Sequence, residues 1–270
     1  MLIQSFKFLI FLGFIITCLC VPEFFQKSPW AFNLSRCVID LSDEKWKIDP
    51  PEHLSSIFER PFYYLDKGKQ SYVFVSENGD YVLKLFHVNR SQIHLGREVY
   101  WKIKKILGSK VINEKYNWKK TLQKTFDSCK IAYEKLQDLT EVEYIHLHLG
   151  QTFLKNGPSL HLRGRGGDYL LDSSRYRFII QKKAEPLLKT IQSAPYFQKK
   201  KLLDSALRLF KELGNRGIVN TDPNFVKNYS FYKDKMILAD VGSLSYSFEN
   251  SQIIAEKHAK RFENFFNTIE

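Results

Sequence analysis

The sequence has little cysteine, which argues against a protein held together by a disulfide framework or by a cysteine-bound zinc ion. Four cysteines occur in 270 residues. Two of them, Cys18 and Cys20, lie in the first apolar segment, which leaves Cys37 and Cys129 for the rest of the chain. Two distant cysteines allow one disulfide in an oxidising compartment and do not form a disulfide framework. There is no C-x-x-C pair to suggest zinc, and the chain contains no internal repeat or low-complexity tract.

The composition is that of a folded protein with a substantial core. Hydrophobic residues make up 44% of the chain and aromatic residues 15%. A chain of 270 residues with this content can bury a sizeable core, as one bilobal domain or as two small ones. Disorder is therefore excluded as a general description.

The net charge of +12 comes from lysines and arginines spread along the whole chain. A basic surface can attract phosphate, anionic lipid or nucleic acid. Scattered lysines are, however, typical of solvated helix faces, so nucleic acid is not the partner that we favour. Membrane association remains an open expectation.

The first segment indicates export or membrane attachment. Lys7 is followed by an unbroken apolar run from Phe8 to Val21, which resembles a secretory signal or a short anchor. A spanning helix needs roughly 20 residues, and this run is shorter. We therefore expect residues 1–21 to be a signal peptide or a membrane anchor and the protein to be membrane-anchored or secreted. A buried first helix is the alternative.

Hydrophobic periodicity predicts the order of the elements. Residues 22–61 are expected to be a linker segment, and strands are expected at about 62–66, 71–76 and 81–86, because apolar and polar residues alternate on both sides of Asn78-Gly79. Further predictions are helices over 91–107, 117–138, 198–213 and 251–269, strands over 142–154 and 176–181, and a loop or extended hairpin over 156–175. Gly214 follows one helix as its expected C-cap.

Two motifs in the first half of this order resemble those of protein kinases. Residues 66–73 follow the pattern G-x-G-x-x-G-x-V at Gly68 and Val73, with Ser71 in place of a glycine. Tyr81-Val82-Leu83-Lys84 looks like the V-A-I-K strand, and the resemblance implies that Lys84 contacts nucleotide phosphates. Glu98 is the implied partner of this lysine on the next helix. The alternative is that strand alternation places Lys84 on the solvent face.

The stretch GIVNTDPNFVKNYSFYKDKMILADVGSL, residues 217–244, carries the third motif. Asp222 stands where the kinase H-R-D motif has its catalytic base, although the His and Arg are absent. Asp240-Val241-Gly242 resembles D-F-G, and Asn228 follows Asp222 by six residues where the family has five, with Asn224 as an alternative. The resemblance implies that Asp240 and Asn228 bind metal. Without it, the stretch is equally explained by two strands joined by polar turns.

The chain thus resembles the protein-kinase-like superfamily. The implied fold is α+β and bilobal, with a kinase-like domain over 62–270: an antiparallel N-lobe sheet with a helix, about 62–181, and a mainly helical, truncated C-lobe, about 182–270. The short remainder after Asp240 is similar to that of small kinase-like phosphotransferases, such as lipopolysaccharide or RIO-type kinases. The resemblance implies ATP and magnesium as cofactors and an unknown protein or small-molecule acceptor. A catalytically inactive pseudokinase that binds a protein partner is the alternative.

Overall fold

The computed structural model describes residues 32–88, 118–149, 159–164 and 167–269. The apolar segment 1–21 and the helix predicted over 91–107, which carries Glu98, lie outside these residues. Within the described ranges, no helix is both long enough and apolar enough to cross a membrane.

The described residues form a mixed α+β fold, as predicted. Its α-helices are α1 (Leu54–Ile57), α2 (Trp118–Lys135), α3 (Gln137–Thr140), α4 (Leu187–Ser193), α5 (Tyr196–Asn215), α6 (Phe225–Asn228) and α7 (Ser251–Ile269). Short 3-10 helices lie at Leu34–Arg36, Glu44–Trp46 and Ser173–Arg175.

Twelve strands occur in the described residues: β1 (Phe62–Lys67), β2 (Ser71–Ser76), β3 (Tyr81–Phe86), β4 (Val142–His146), β5 (Ser159–Gly164), β6 (Gly167–Asp172), β7 (Phe178–Lys182), β8 (Glu185–Pro186), β9 (Ile218–Asn220), β10 (Tyr229–Tyr232), β11 (Lys235–Leu238) and β12 (Leu244–Tyr246). Seven of them form one sheet in the order β4-β7-β3-β2-β1-β5-β6. The remaining strands form a three-stranded sheet, β11-β10-β8, and a two-stranded sheet, β12-β9.

The large sheet departs from the prediction in one pairing. Strands β1 and β5 run parallel, with Phe62 opposite Leu162, whereas the other pairs in this sheet are antiparallel. A parallel pair requires a crossover connection, and a sequence pattern read segment by segment does not specify which distant strand becomes the neighbour. The expectation of a wholly antiparallel sheet was therefore wrong at this one pair.

The first three strands confirm the alternation that predicted them. Side-chain burial alternates along β2, where Tyr72 and Phe74 are buried. Gly79 in the β2–β3 turn has φ +78°. A positive φ is accessible to glycine at little cost, which is why Asn78-Gly79 can close the hairpin. Local sequence thus determines this part of the sheet.

Gly214 corrects the predicted end of the long helix α5. The helix continues through Gly214 to Asn215, and Arg216 is the C-cap. A Cβ atom on Gly214 would lie 2.9 Å from the Cβ atom of Ala255 in α7. This glycine therefore allows α5 and α7 to approach closely, and it does not terminate the helix.

The main apolar cluster is continuous across the two predicted lobes. It joins side chains of the large sheet, such as Phe86 and Ile179, with those of the C-terminal helices, such as Phe210 and Phe262. A second cluster lies among β1, β2 and β5, with Phe62 and Leu162. The division into an N-lobe and a C-lobe at residue 182 remains a prediction.

Residues of the segment expected to be a linker take part in this packing. Trp46 is 1% exposed, and its indole N–H donates to Asp127 Oδ1 at 2.8 Å. Its ring meets Phe126 of α2 edge to face, with centroids 5.2 Å apart. Cys37 is also buried and, like Cys129, is a free thiol.

Candidate functional site

Five of the residues singled out in the sequence line one cavity of about 210 Å³. They are Gly68, Ser71, Lys84, Asp222 and Asp240, drawn from the β1–β2 loop, the start of β2, strand β3 and the loops that follow β9 and β11. Lys69, Gln70, Phe86, Thr125, Cys129, Ile179, Val241, Gly242 and Ser243 complete the lining. Residues up to 175 positions apart in sequence thus meet at one place, counted from Gly68 to Ser243.

The β1–β2 loop closes one side of this cavity through its own backbone. The Gly68 N–H donates to the carbonyl of Ser71 at 2.8 Å, and the His87 N–H donates to the carbonyl of Gln70 at 2.9 Å. The Gln70 side chain in turn accepts a hydrogen bond from Thr125 Oγ1 of α2 at 2.7 Å. The loop is therefore tied both to strand β3 and to helix α2.

Lys84 projects into the cavity and not into bulk solvent. Its Nζ donates to Gln181 Oε1 at 2.9 Å and also to the main-chain carbonyl of Ala239, the residue before Asp240. Burial lowers the pKa of Lys84 below its ordinary value, and the carboxylate of Asp240 opposes that change. The alternative of a solvent-facing lysine is thus wrong.

Gln181 holds this arrangement in place through three contacts. Its side-chain nitrogen donates to the carbonyl of Thr140 at 2.6 Å and to that of Leu238 at 3.1 Å. Its oxygen is then left to accept from Lys84. Gln181 is 3% exposed, so these bonds fix the amide orientation away from competing water.

Asp222 lies on the exposed loop between β9 and α6. Its N–H donates to Asn220 Oδ1 at 3.1 Å, and the Asn220 side chain donates to the hydroxyl of Tyr229 at 3.2 Å. Strand β9 is fixed by pairing with β12, and the Thr221 N–H donates to the carbonyl of Ser243 at 2.9 Å. The loop is therefore held from both ends, while the carboxylate of Asp222 reaches the cavity.

Asp240 begins the loop that returns from β11 to β12. Its Oδ1 accepts from the N–H of Gly242 at 3.0 Å, which closes a local turn. Ser128 of α2 secures the same loop, because its hydroxyl donates to the carbonyl of Val241 at 2.5 Å and accepts from the N–H of Leu244 at 2.6 Å. The carboxylate is exposed toward the cavity on a well-supported turn.

Two predicted site residues of the described ranges, Asn228 and Val73, lie outside the cavity lining. Asn228 is 4% exposed and does not line the cavity, because its side-chain nitrogen donates to the main-chain carbonyl of Asp222 at 2.6 Å. Val73 also lies outside the lining and pairs with Lys84 across β2 and β3. Glu98 is outside the described residues. Asn224, the alternative to Asn228, caps α6, and its Oδ1 accepts from the Lys227 N–H at 3.2 Å.

Helix α2 supplies two lining residues that the sequence pattern did not single out. Thr125 and Cys129 are four residues apart and therefore share one face of the helix. Burial is the main cause that raises the pKa of the Cys129 thiol well above its ordinary value, so this residue is a neutral, weakly polar part of the wall. The only sequence signal was a small polar residue on the buried face of an amphipathic helix.

The arrangement combines one half-buried cation with two carboxylates in a small cavity. A lysine ammonium can neutralise a phosphate, and Mg²⁺ typically uses one or two carboxylates together with substrate phosphates. Asp240 supplies a hard oxygen donor of this kind and Asp222 lines the same cavity, so the residues present fit the metal predicted from the sequence. Among the described residues, no group of three or more His, Cys, Asp or Glu side chains forms a metal site by itself.

No protein-family model matches the chain and no curated protein matches it. Among solved structures, the chain resembles the bifunctional kinase-methyltransferase WbdD at 14% identity. Two WbdD structures give TM-scores of 0.41 and 0.42 over 74% and 79% of this chain, and a WbdD complex with a kinase inhibitor gives 0.41 over 77%. The chain spans only 34% to 38% of the length of those proteins. The result is a weak structural relationship to a kinase-like protein.

Proposed function

We propose that this chain is a divergent kinase-like phosphotransferase that binds ATP with magnesium in the cavity between Lys84 and Asp240. The observation that supports this proposal is the convergence of the β1–β2 loop, Lys84, Asp222 and Asp240 on one cavity. Each of the three motifs by itself is weak, whereas all three around one space make a combination that phosphoryl transfer uses. The acceptor is a hydroxyl compound or protein of unknown identity.

Each residue has a role that its position allows. The ammonium of Lys84 binds phosphate oxygens, and the β1–β2 loop at Gly68 and Ser71 covers them. Asp240 holds the metal, and Asp222 orients the acceptor hydroxyl and accepts its proton. Magnesium, when bound, neutralises charge on the phosphates. Gln181 keeps the lysine directed into the cavity through the bond to its Nζ.

Calorimetric titration of the full chain with ATP tests binding, with and without magnesium or manganese. We expect metal-dependent binding that is lost in Lys84→Ala and Asp240→Ala, because each removes a charge that faces the phosphates or the metal. Lys211→Ala and Asp204→Ala are matched controls, since both residues are exposed on α5 outside the cavity lining. Absence of ATP binding at millimolar concentration would refute the proposal.

A second measurement separates a transferase from an inactive nucleotide-binding protein. Asp222→Ala should retain ATP affinity, because this carboxylate is assigned to the acceptor, while phosphoryl release to water or an added hydroxyl compound should fall by at least about 100-fold. Binding by the parent without any phosphoryl transfer, across a panel of acceptors, would instead favour the inactive alternative.

A further inference from the structure

An exposed aromatic surface lies at the start of helix α5, away from the cavity described above. Tyr196 and Phe197 are adjacent in sequence and are 86% and 73% exposed. Burying such rings stabilises a protein, so two consecutive exposed rings on an otherwise well-packed helix are a feature that requires an explanation. We call residues 196–201, at the start of α5, the α5 tip.

Basic residues follow these two rings in the first turns of α5. Lys200 and Lys201 follow within about one helical turn and are exposed, and Lys199 precedes them. The first turn of α5 contains no acidic residue. The β10–β11 turn adds Lys233, because Gln198 donates to Asp234 Oδ1 at 3.0 Å and so holds that turn beside the helix.

The acidic side chains near the α5 tip are fewer. Asp234 is hydrogen-bonded to Gln198, and Asp204 lies on the next turn of the helix. Within residues 196–204 of α5 and the β10–β11 turn, four lysines thus accompany two aspartates, in a chain whose net charge is +12. The local charge is complementary to an anionic surface.

Two features favour a lipid surface over a protein partner. The centre of a protein interface is depleted in lysine, whereas an anionic bilayer attracts it. A tyrosine and a second aromatic ring at a helix end can enter the headgroup region, with the phenol hydroxyl still in contact with water. Aromatic rings combined with lysines are typical of peripheral attachment to membranes.

We propose that the α5 tip docks on the surface of a bilayer that contains anionic phospholipid, with Tyr196 and Phe197 inserted at headgroup level. This docking is independent of residues 1–21, whether or not they anchor the chain. It also leaves the cavity free, because neither ring lines it.

The test places a fluorescent reporter at each end of α5 in the full chain. Phe197→Trp reports on the α5 tip. Phe248→Trp is the matched control, because Phe248 is 76% exposed and packs against Gly217, just beyond the other end of the helix. A helix of 20 residues is about 30 Å long, so the two positions are well separated. Both side chains are exposed, so tryptophan requires no core rearrangement.

The expected result is a blue shift of the Phe197→Trp emission, after subtraction of the parent spectrum, on vesicles of phosphatidylcholine with phosphatidylserine. Lipids brominated in the upper acyl chain should quench this emission, and the Phe248→Trp emission should not change. Adding Lys200→Gln and Lys201→Gln should raise the lipid concentration needed for half of the effect by roughly tenfold or more, because each lysine contributes to attraction by the anionic surface.

Three results would overturn the proposal. One is an unchanged Phe197→Trp spectrum on anionic vesicles. The second is an equal response of Phe248→Trp, which would mean that the apolar N-terminal segment or non-specific adsorption brings the whole chain to lipid. The third is the same response on pure phosphatidylcholine, which would remove the anionic surface from the explanation.

Discussion

The side-chain amide of Asn228 donates to the main-chain carbonyl of Asp222 at 2.6 Å. The main-chain carbonyl of Asn228 accepts hydrogen bonds from the N–H groups of Ala239 and Asp240, at 2.9 and 3.1 Å. One buried asparagine therefore connects the two loops that carry the carboxylates of the cavity. In this structure its evident role is to position those loops, and its assignment as a metal ligand remains a prediction.

Replacing Asn228 by alanine should weaken ATP and metal binding as well as the fold. The change leaves the carbonyl of Asp222 without its buried donor, which costs about 1–3 kcal/mol of unfolding free energy. Loss of the connection should also displace both carboxylates. Urea denaturation and calorimetric titration measure the two effects.

Asn224→Ala is the control. It removes an exposed helix cap, should cost about 1 kcal/mol of unfolding free energy, and should leave ATP affinity unchanged. Equal loss of affinity in both variants would contradict the positioning role.

The charge of Lys84 should depend on Asp240. Because burial lowers the pKa of the lysine and the nearby carboxylate opposes this, Asp240→Asn should lower that pKa further. The titration of the Lys84 side chain can be followed by carbon NMR, with Lys84→Met used to assign the signal. Asp204→Asn, on the exposed face of α5, should leave the titration where it is in the parent. An unchanged or raised Lys84 pKa in Asp240→Asn would show that the two charges are not coupled.

Two buried histidines should make the protein sensitive to acid. Burial is the main cause that lowers the pKa of both His87 and His146 to about 4. Both histidines stay neutral in the folded protein down to about pH 4, whereas in the unfolded chain a histidine takes up a proton below its ordinary pKa of about 6.5. The free energy of unfolding should therefore fall as the pH drops from 6.5 to 4. The expected loss is on the order of 1–3 kcal/mol for each residue, and above pH 6.5 they should add no pH dependence.

Urea denaturation of His87→Phe and His146→Phe between pH 7 and 4.5 tests this expectation. The readout is the slope of stability against pH, since a phenylalanine can change stability at every pH. Each variant should lose stability less steeply than the parent as the pH falls. His53→Gln is the control, because the His53 side chain is 57% exposed. Slopes equal to that of the parent in both phenylalanine variants would refute the explanation.

Gly214→Ala should destabilise the protein although alanine is the better helix former. Alanine normally favours a helix over glycine by about 1 kcal/mol. Here the added methyl group would lie 2.9 Å from the Cβ atom of Ala255 and 3.3 Å from the Cα atom of Gln252, so α5 and α7 must separate. The expected cost is about 1–3 kcal/mol.

The rescue variant decides whether this contact is the cause. Thermal unfolding of Gly214→Ala with Ala255→Gly should recover part of the loss, because the second change removes the nearest atom. A single variant as stable as the parent would show that the helices can move apart at little cost. Because glycine in α7 itself costs about 1 kcal/mol, Ala255→Gly alone is measured as well, and a double variant whose loss equals the sum of the two single losses would show that the Cβ–Cβ contact is not the cause.

The strands of the hairpin region could be predicted from the sequence, because alternation and an Asn-Gly turn act over a few residues. The long helices could be predicted for the same reason, within one or two residues at most ends. The error at Gly214 has a physical cause. A glycine near a helix end and a glycine at a helix crossing look identical in one sequence, and they differ only in what packs against them.

The sequence by itself determined the mixed α+β class, the first three strands and the residue types from which a phosphate and metal site can be built. Only the tertiary structure decided which of them meet. Lys84 contacts Gln181 and the carbonyl of Ala239, 97 and 155 residues further along the chain. The tertiary structure also places Asn228 outside the cavity lining, where it donates to the carbonyl of Asp222. Thr125 and Cys129 of α2 line the cavity in addition to the predicted residues. Periodicity carries information about which face of an element is buried, whereas contacts between distant elements depend on how those faces pack together.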